Sequence, residues 1–311
     1  MKTIVLPDSS LRVSEFCYGA GGLGSKTKGH EVDRILNSFR DAGGNFIDTA
    51  HCYAAWAPEG SGCSERAIAE YIRRNGGKDE LIVATKGCHP GFGKYERPDA
   101  YLSPEVLASD IDDSLERLNR ETIDLYWLHR DDPRLTVDEI MDFVHEEIQK
   151  GRIRHIAASN WTSERLDAAN TYADKKGIPG FVASQPQWSL AHVDNPPATT
   201  VFAGPEDIAW HTESKLPVIP WSPTARGFFA TGKPDKQCDN PESLKRLERA
   251  RKLADELDAS PVQIALAWLR GHDFPVIPIL GTSKPDHLQE AIASRNISLT
   301  QSQRDALTVG Q

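Results

Sequence analysis

The chain has no excess of positive charge. Its 311 residues hold 36 lysines and arginines against 45 aspartates and glutamates, for a net charge of −9. A phosphate-backbone binder needs a basic face, so nucleic acid is not an expected partner. No apolar run approaches the roughly 18–20 residues of a membrane span, so none is expected to cross or enter a bilayer. The opening MKTIVLPDSSLRV lacks the apolar stretch of roughly 7–15 residues that marks a secretory signal. Cysteine is scarce: Cys17, Cys52, Cys63, Cys88 and Cys238 make an odd set with no CxxC pair, which disfavours a disulfide framework or structural zinc. These absences predict a reduced, cytoplasmic protein with no resident metal. Its 39% hydrophobic and 26% charged content is enough to build a core.

Short apolar runs alternate with longer segments of helical period. Strands are predicted at Glu15–Tyr18, Asn45–Asp48, Leu81–Thr85, Ile123–Leu128, His155–Ser159, Phe181–Gln185, Val218–Trp221 and Val276–Ile279. Runs such as LIVAT and VIPI are apolar without alternation, as strands buried on both faces should be. Between them, Val32, Ile35, Leu36 and Phe39 mark one helix face, and Val106, Ile111, Leu115 and Leu118 another. Ser103-Pro104, Ser163 and Ser260-Pro261 read as helix starts. Eight βα units without a composition break predict one α/β domain over 1–311, a closed (β/α)₈ TIM barrel. The long irregular segments CYAAWAPEGSGC, GCHPGFGKYERPDAY, HRDDPRL, VDNPPATTVFAG and RGFFATGKPDKQCDNP all follow strand C-termini. That is the face where barrel enzymes keep their sites.

Gly19-Ala20-Gly21-Gly22-Leu23-Gly24 matches the GxGxxG dinucleotide fingerprint, and Asp48 ends the next strand. A doubly wound sheet would stop at six strands and need a second domain, whereas the pattern runs on to eight. The glycines are read instead as a loop that lets a ligand approach backbone closely.

The predicted strand ends deliver Asp48, Lys86, His129, Ser159 with Asn160, Gln185 and Trp221 to one face. Lys86 closes an apolar strand and needs a partner, because a bare buried ammonium is expensive; Asp48 is the candidate. Tyr53 stands five residues past Asp48. A carbonyl reductase needs a proton donor, and a free phenol with a pKa of about 10 is a weak one that a neighbouring ammonium improves. Taken singly, an Asp–Lys pair, a loop tyrosine and a strand-end histidine are each more often structural. Their joint arrival on one face points to chemistry.

The segment NFIDTAHCY resembles the aldo-keto reductase signature in which an aspartate precedes the catalytic tyrosine. VATKG is similar to that family's lysine strand, LYWLHRDDP to its histidine strand, and ASNW to its Ser-Asn pair. IPWSPTARGFF and LGTSKPDHLQE resemble its cofactor-binding segments, in the family's order along nearly the whole chain. The resemblance implies a barrel reductase that moves hydride between a nicotinamide cofactor and an aldehyde, ketone or alcohol. It implies Tyr53 as general acid, Lys86 lowering its pKa, Asp48 bracing Lys86 and His129 orienting the carbonyl. Ser159, Asn160 and Gln185 would hold the nicotinamide carboxamide, and Trp221 would stack on its ring. Ser222 and Arg226 would approach the pyrophosphate, and Gly19, Ala20 and Gly21 would line the ribose side with Asp48. Gly281, Thr282, Ser283, Lys284, His287 and Glu290 would hold the adenosine phosphate. His287 stands where many members carry an arginine for the 2′-phosphate, and Ala291 replaces a frequent asparagine. NADPH is the expected cofactor, with Lys284 as a point charge on the phosphate; NADH stays open.

Trp56, Trp161, Trp188 and Trp221 are placed on or near the active-face loops, with Arg130, His51 and His89 as polar neighbours. Trp56 and Arg130 are the expected substrate contacts, for a small-molecule carbonyl such as a sugar derivative. His51 and Cys52 are read as packing residues. Two other classes stay in view: a barrel lyase or aldolase with Lys86 as Schiff base, and a reductase-like subunit that holds NADPH to sense redox state. Oligomeric state and reaction direction are open.

Overall fold

The computed structural model of the protein describes residues 1–194 and 196–309. Asn195, inside the predicted VDNPPATTVFAG loop, lies outside them. A hairpin of β1 (Thr3–Val5) and β2 (Arg12–Ser14) precedes a parallel sheet. That sheet is built from β3 (Cys17–Gly19), β4 (Phe46–Asp48), β5 (Ile82–Gly87), β6 (Ile123–Leu128), β7 (Ile153–Ser159), β8 (Phe181–Gln185) and β9 (Ile279–Leu280). Its spatial order is β8-β7-β6-β5-β4-β3-β9. The gap between β8 and β9 is bridged by the extended segment at Val218, which pairs with Ser184 on one side and Val276 on the other. The ring therefore closes as a (β/α)₈ barrel.

The seventh and eighth barrel segments, predicted as strands at 218–221 and 276–279, are reduced to isolated bridges except at Ile279–Leu280. Both read Pro-Val-Ile-Pro, at 217–220 and 275–278. Proline has no N–H to give the ladder, so the seam is stitched by single bonds. These run from Ser184 N to Pro217 O, Ile219 N to Ser184 O, Val218 N to Pro275 O, Ile277 N to Val218 O, Ile279 N to Pro220 O and Cys17 N to Pro278 O. The prolines contribute as acceptors only.

Inside the ring, Phe46, Ala84, Leu125, Ala157, Ala183, Ile219 and Ile277 form one packed cluster. Leu6, Leu11 and Val13 of the hairpin join it. Outside pack α1 (His30–Asp41), α2 (Cys63–Asn75), α3 (Pro104–Leu118), α4 (Val137–Gln149), α5 (Ser163–Lys176), α6 (Pro205–Ser214), α7 (Phe228–Thr231), α8 (Pro241–Glu256), α9 (Pro261–Arg270), α10 (Pro285–Ala293) and α11 (Gln301–Val309). The α1 face is as expected, with Val32, Ile35, Leu36 and Phe39 all buried. On α3 the buried line is Leu107, Asp110, Ile111, Ser114 and Leu118, while Val106 and Leu115 sit at its edge. Ser103 and Ser260 cap α3 and α9. The α5 helix starts at Ser163 as expected, with Thr162 before it as the cap, its hydroxyl accepting from Arg165 N. No helix among the described residues is long and apolar enough to cross a membrane.

Candidate active site

Side chains alternate across a strand, and that period builds the site. Two residues beyond the apolar layer of Phe46, Ala84, Leu125, Ala157 and Ala183, the inward positions are Asp48, Lys86, Trp127, Ser159 and Gln185. Strand register sets them side by side: Lys86 opposite Trp127, and Ser159 opposite Gln185. Lys86 is an internal residue of β5, which runs to Gly87, and does not end it.

Lys86 is 1% exposed and spends its three N–H groups on Asp48 Oδ2 at 2.5 Å, Thr49 O at 2.7 Å and Tyr53 Oη at 3.2 Å. Gln185 Nε2 donates to the other Asp48 oxygen at 3.1 Å. Burial alone would push Lys86 down, but the charges of Asp48 and of an ionised Tyr53, with the hydrogen bonds to both, together more than restore it, and the ammonium is held above the ordinary lysine value. Tyr53 is raised, burial outweighing the pull of Lys86. The expectation that Lys86 would leave this phenol below its ordinary pKa is corrected: the ammonium lowers it, and desolvation lifts it further. His129 lies edge-on to Tyr53, ring centroids 6.1 Å apart. Burial, then Arg130 and His89, push it well below the usual histidine range, so it is neutral at physiological pH.

A cleft of about 690 Å³ runs from Tyr53 and Asp48 across Gly19 and Gly21, past Trp221, Ser222 and Arg226, to Gly281, Thr282, Ser283, Lys284, His287 and Glu290. A Cβ on Gly19 would lie 2.7 Å from Ile279 Cγ2. The backbone beyond Trp221 is tightly folded, with positive φ at Ser222, Ala225, Arg226 and Gly227. Trp221 is held by its indole N–H, which donates to Asn160 Oδ1 at 3.3 Å. Asn160, itself at φ 57°, donates to Ser159 Oγ at 2.9 Å, and Ser159 Oγ donates to Gln185 O at 3.0 Å.

Residues 15–308 match the Aldo/keto reductase family. The chain belongs to that family. Its similar proteins include the "Uncharacterized oxidoreductase YrpG" of Bacillus subtilis, 29% identical over 96% of this chain and 92% of the relative. An aryl-alcohol dehydrogenase (NADP+) of Phanerodontia chrysosporium is 27% identical over 97% and 83%. Norsolorinic acid reductase B of Dothistroma septosporum is 26% identical over 96% and 78%.

Within this aldo-keto reductase, most of the expected residues converge and a few do not. Ala20 does not line the cleft: it is fully buried, with its N–H on Asp48 O and its carbonyl accepting from Ser64. Ser159, Asn160 and Gln185 lie in the polar layer behind Trp221, already hydrogen-bonded to one another. Trp161 and Trp188 are core residues, the first against Phe181 and the second among Trp268, His272 and Phe274. Trp56 is 58% exposed on the loop after β4, tilted toward Phe92. The GxGxxG run is not a helix-opening turn, since α1 starts only at His30. Its Gly24 has φ +75°, and a Cβ there would collide with the Cys63 carbonyl.

One polar cluster escaped sequence reasoning. His51 is buried, with Nδ1 bonded to Tyr95 Oη at 2.7 Å and Nε2 to Asp113 at 2.8 Å. Buried Asp110 takes Arg97 on both oxygens at 2.6 Å and the Cys88 N–H at 2.8 Å. This network pins the loop after β5 to α3 directly behind the strand that carries Lys86. The one available signal was Asp110 and Ser114 on the apolar face of α3.

Proposed function

We propose that this aldo-keto reductase reduces an aldehyde or ketone with NADPH, Tyr53 serving as the proton donor, within one barrel domain spanning the chain. The observation that carries the reading is the Lys86 ammonium, buried and bonded at once to Asp48, Thr49 O and Tyr53 Oη. The residues fit a dinucleotide, the cofactor that family members generally use. Gly21 keeps the cleft wall bare beside Tyr53, Gly19 does so beside Ile279, and Trp221 offers a flat face. Arg226, Lys284 and His287 bring donors to the far part. When bound, the nicotinamide supplies or accepts the hydride.

The chain's own part is proton handling and charge. Tyr53 gives its proton to the carbonyl oxygen as negative charge develops there. Lys86 hydrogen-bonds the phenolate left behind, and Asp48 with Thr49 O keeps Lys86 charged and aimed. Neutral His129 presents an N–H to the substrate oxygen without adding a charge to be desolvated. Ser159, Asn160 and Gln185 back the nicotinamide end, with Asn160 fixing the Trp221 indole.

A lyase using Lys86 as an imine-forming nucleophile fits poorly. That chemistry needs a neutral amine with a free lone pair, whereas this ammonium is raised in pKa and fully engaged as donor.

Because Tyr53 stands above its ordinary value, the acid form persists through neutral pH. Reduction should be flat in kcat from about pH 6 to 9, while alcohol oxidation, which needs the phenolate, should rise close to tenfold per pH unit over that range. Parallel profiles for the two directions would remove Tyr53 from the proton-transfer role.

The cofactor is tested by tryptophan fluorescence titration with NADPH and NADH. NADPH is expected to quench at micromolar concentrations and to bind more tightly than NADH. Lys284→Ala should weaken NADPH by about tenfold, the scale of one phosphate contact, and leave NADH nearly unaffected. Equal losses would take Lys284 off the phosphate, and no response to either nucleotide would sink the reading.

A further inference from the structure

We propose that the substrate of this reductase carries an anionic group, a carboxylate or a phosphate monoester, in addition to its reactive carbonyl, and that Arg130 at the barrel mouth receives it. The inference rests on the carbonyl-reductase reading and names the substrate class for that site.

Arg130 directly follows His129, the histidine facing Tyr53. Its side chain is largely buried and, among the described residues, makes no ion pair. Its one hydrogen bond runs from Nη1 to the His129 carbonyl at 2.7 Å, and Nε is shut from solvent with no partner. The lack of a counter-ion is not for want of carboxylates in the segment. Asp131 and Asp132 come next in the chain, yet each is committed elsewhere. Asp131 takes Arg165 through Nε and Nη2, both at 2.8 Å, and Asp132 takes Arg134 through Nε at 2.8 Å and Nη2 at 2.6 Å. On α3, behind β5, Asp110 is held by Arg97.

The imidazole beside it cannot serve either. His89 packs on His129 with ring centroids 4.6 Å apart. Burial first and the Arg130 charge second push its pKa down to about 4, so it adds no charge of either sign.

A guanidinium held part-way out of water without a carboxylate is costly. It becomes favourable when a ligand brings the missing anion, and its planar fork suits carboxylate and phosphate alike. Phe92 packs on His89, which in turn packs on His129, and Trp56 tilts toward Phe92, so these rings offer an apolar surface on the same side of the site for the body of such a substrate.

The test uses paired substrates that differ only in charge. These are 3- and 4-carboxybenzaldehyde against the matching carbamoylbenzaldehydes, and glyceraldehyde 3-phosphate against glyceraldehyde, all with the holoenzyme and NADPH. At least one anionic member should exceed its neutral partner in kcat/KM by about 30-fold, which is about 2 kcal/mol at 1.4 kcal/mol per tenfold. Whichever pair shows the ratio identifies the anion as carboxylate or phosphate. Arg130→Gln should bring that ratio to near one, and Arg130→Lys should keep an intermediate value. A wild-type ratio near one for every pair, or a ratio that survives Arg130→Gln, would overturn the proposal.

Calorimetric binding of 4-(hydroxymethyl)benzoate against 4-(hydroxymethyl)benzamide, and of glycerol 3-phosphate against glycerol, reads the same site without turnover. If no carbonyl compound is reduced, the reductase reading fails, while the binding contrast still decides on Arg130.

Discussion

Tyr53→Phe should lower kcat for carbonyl reduction by about 10²–10⁴-fold, the range for loss of a positioned general acid, with NADPH affinity retained within about threefold. The phenylalanine keeps the ring against His129 and removes only the hydroxyl that Lys86 contacts at 3.2 Å. Rate and affinity should therefore separate cleanly. Stopped-flow single turnover measures the chemical step, and fluorescence titration measures the cofactor. A variant that reduces carbonyls at near-wild-type rate would show that the proton comes from another group.

Lys86→Met should be the most damaging substitution for stability. It strands the Asp48 carboxylate, 2% exposed, leaving it neutral donors such as the Gln185 amide in place of an ammonium at 2.5 Å. Breaking a buried pair in this way costs about 3–5 kcal/mol, and by the size scaling of melting temperatures Tm should fall by about 5–8 °C. Activity should fall with it, because the Tyr53 phenolate loses its stabilising charge. The double variant Asp48→Asn with Lys86→Met removes both charges and should regain at least half of the lost stability while staying inactive. Calorimetry distinguishes the cases. If the double variant is no more stable than Lys86→Met, the destabilisation comes from packing and not from the stranded carboxylate.

The architecture was legible where chemistry and period agree. Uninterrupted apolar runs buried on both faces placed β4 to β8 within a residue or two, and the polar residues at or beside their C-terminal ends put Asp48, Lys86, His129, Ser159 and Gln185 on one rim. Val218–Trp221 and Val276–Ile279 were placed correctly along the chain, but proline spacing turned their ladders into isolated bridges. The tryptophans misled because an indole after a strand reads the same whether it lines a mouth or fills the core: Trp161 and Trp188 are inside, Trp56 outside. The His51–Tyr95–Asp113 cluster joins residues far apart in the chain. No local period reports such a meeting, and only Asp110 and Ser114 on the α3 core face hinted at it.

The twin Pro-Val-Ile-Pro segments divide the barrel into a firmly laced side and a thinly laced one. From β4 to β8 each strand pairs with its neighbour along a ladder, broken only by a register shift between Ile156 and Ala158 of β7, but at the seam half the residues cannot donate. Local opening costs least where cross-strand bonds are fewest. Amide deuteration should therefore enter first at Val218, Ile219, Ile277 and Ile279, well before Leu125 or Ala157. The cleft wall that carries Trp221 and Ile279 should thus be the part of the ring that opens first, and a ligand lodged there should act as its missing lace.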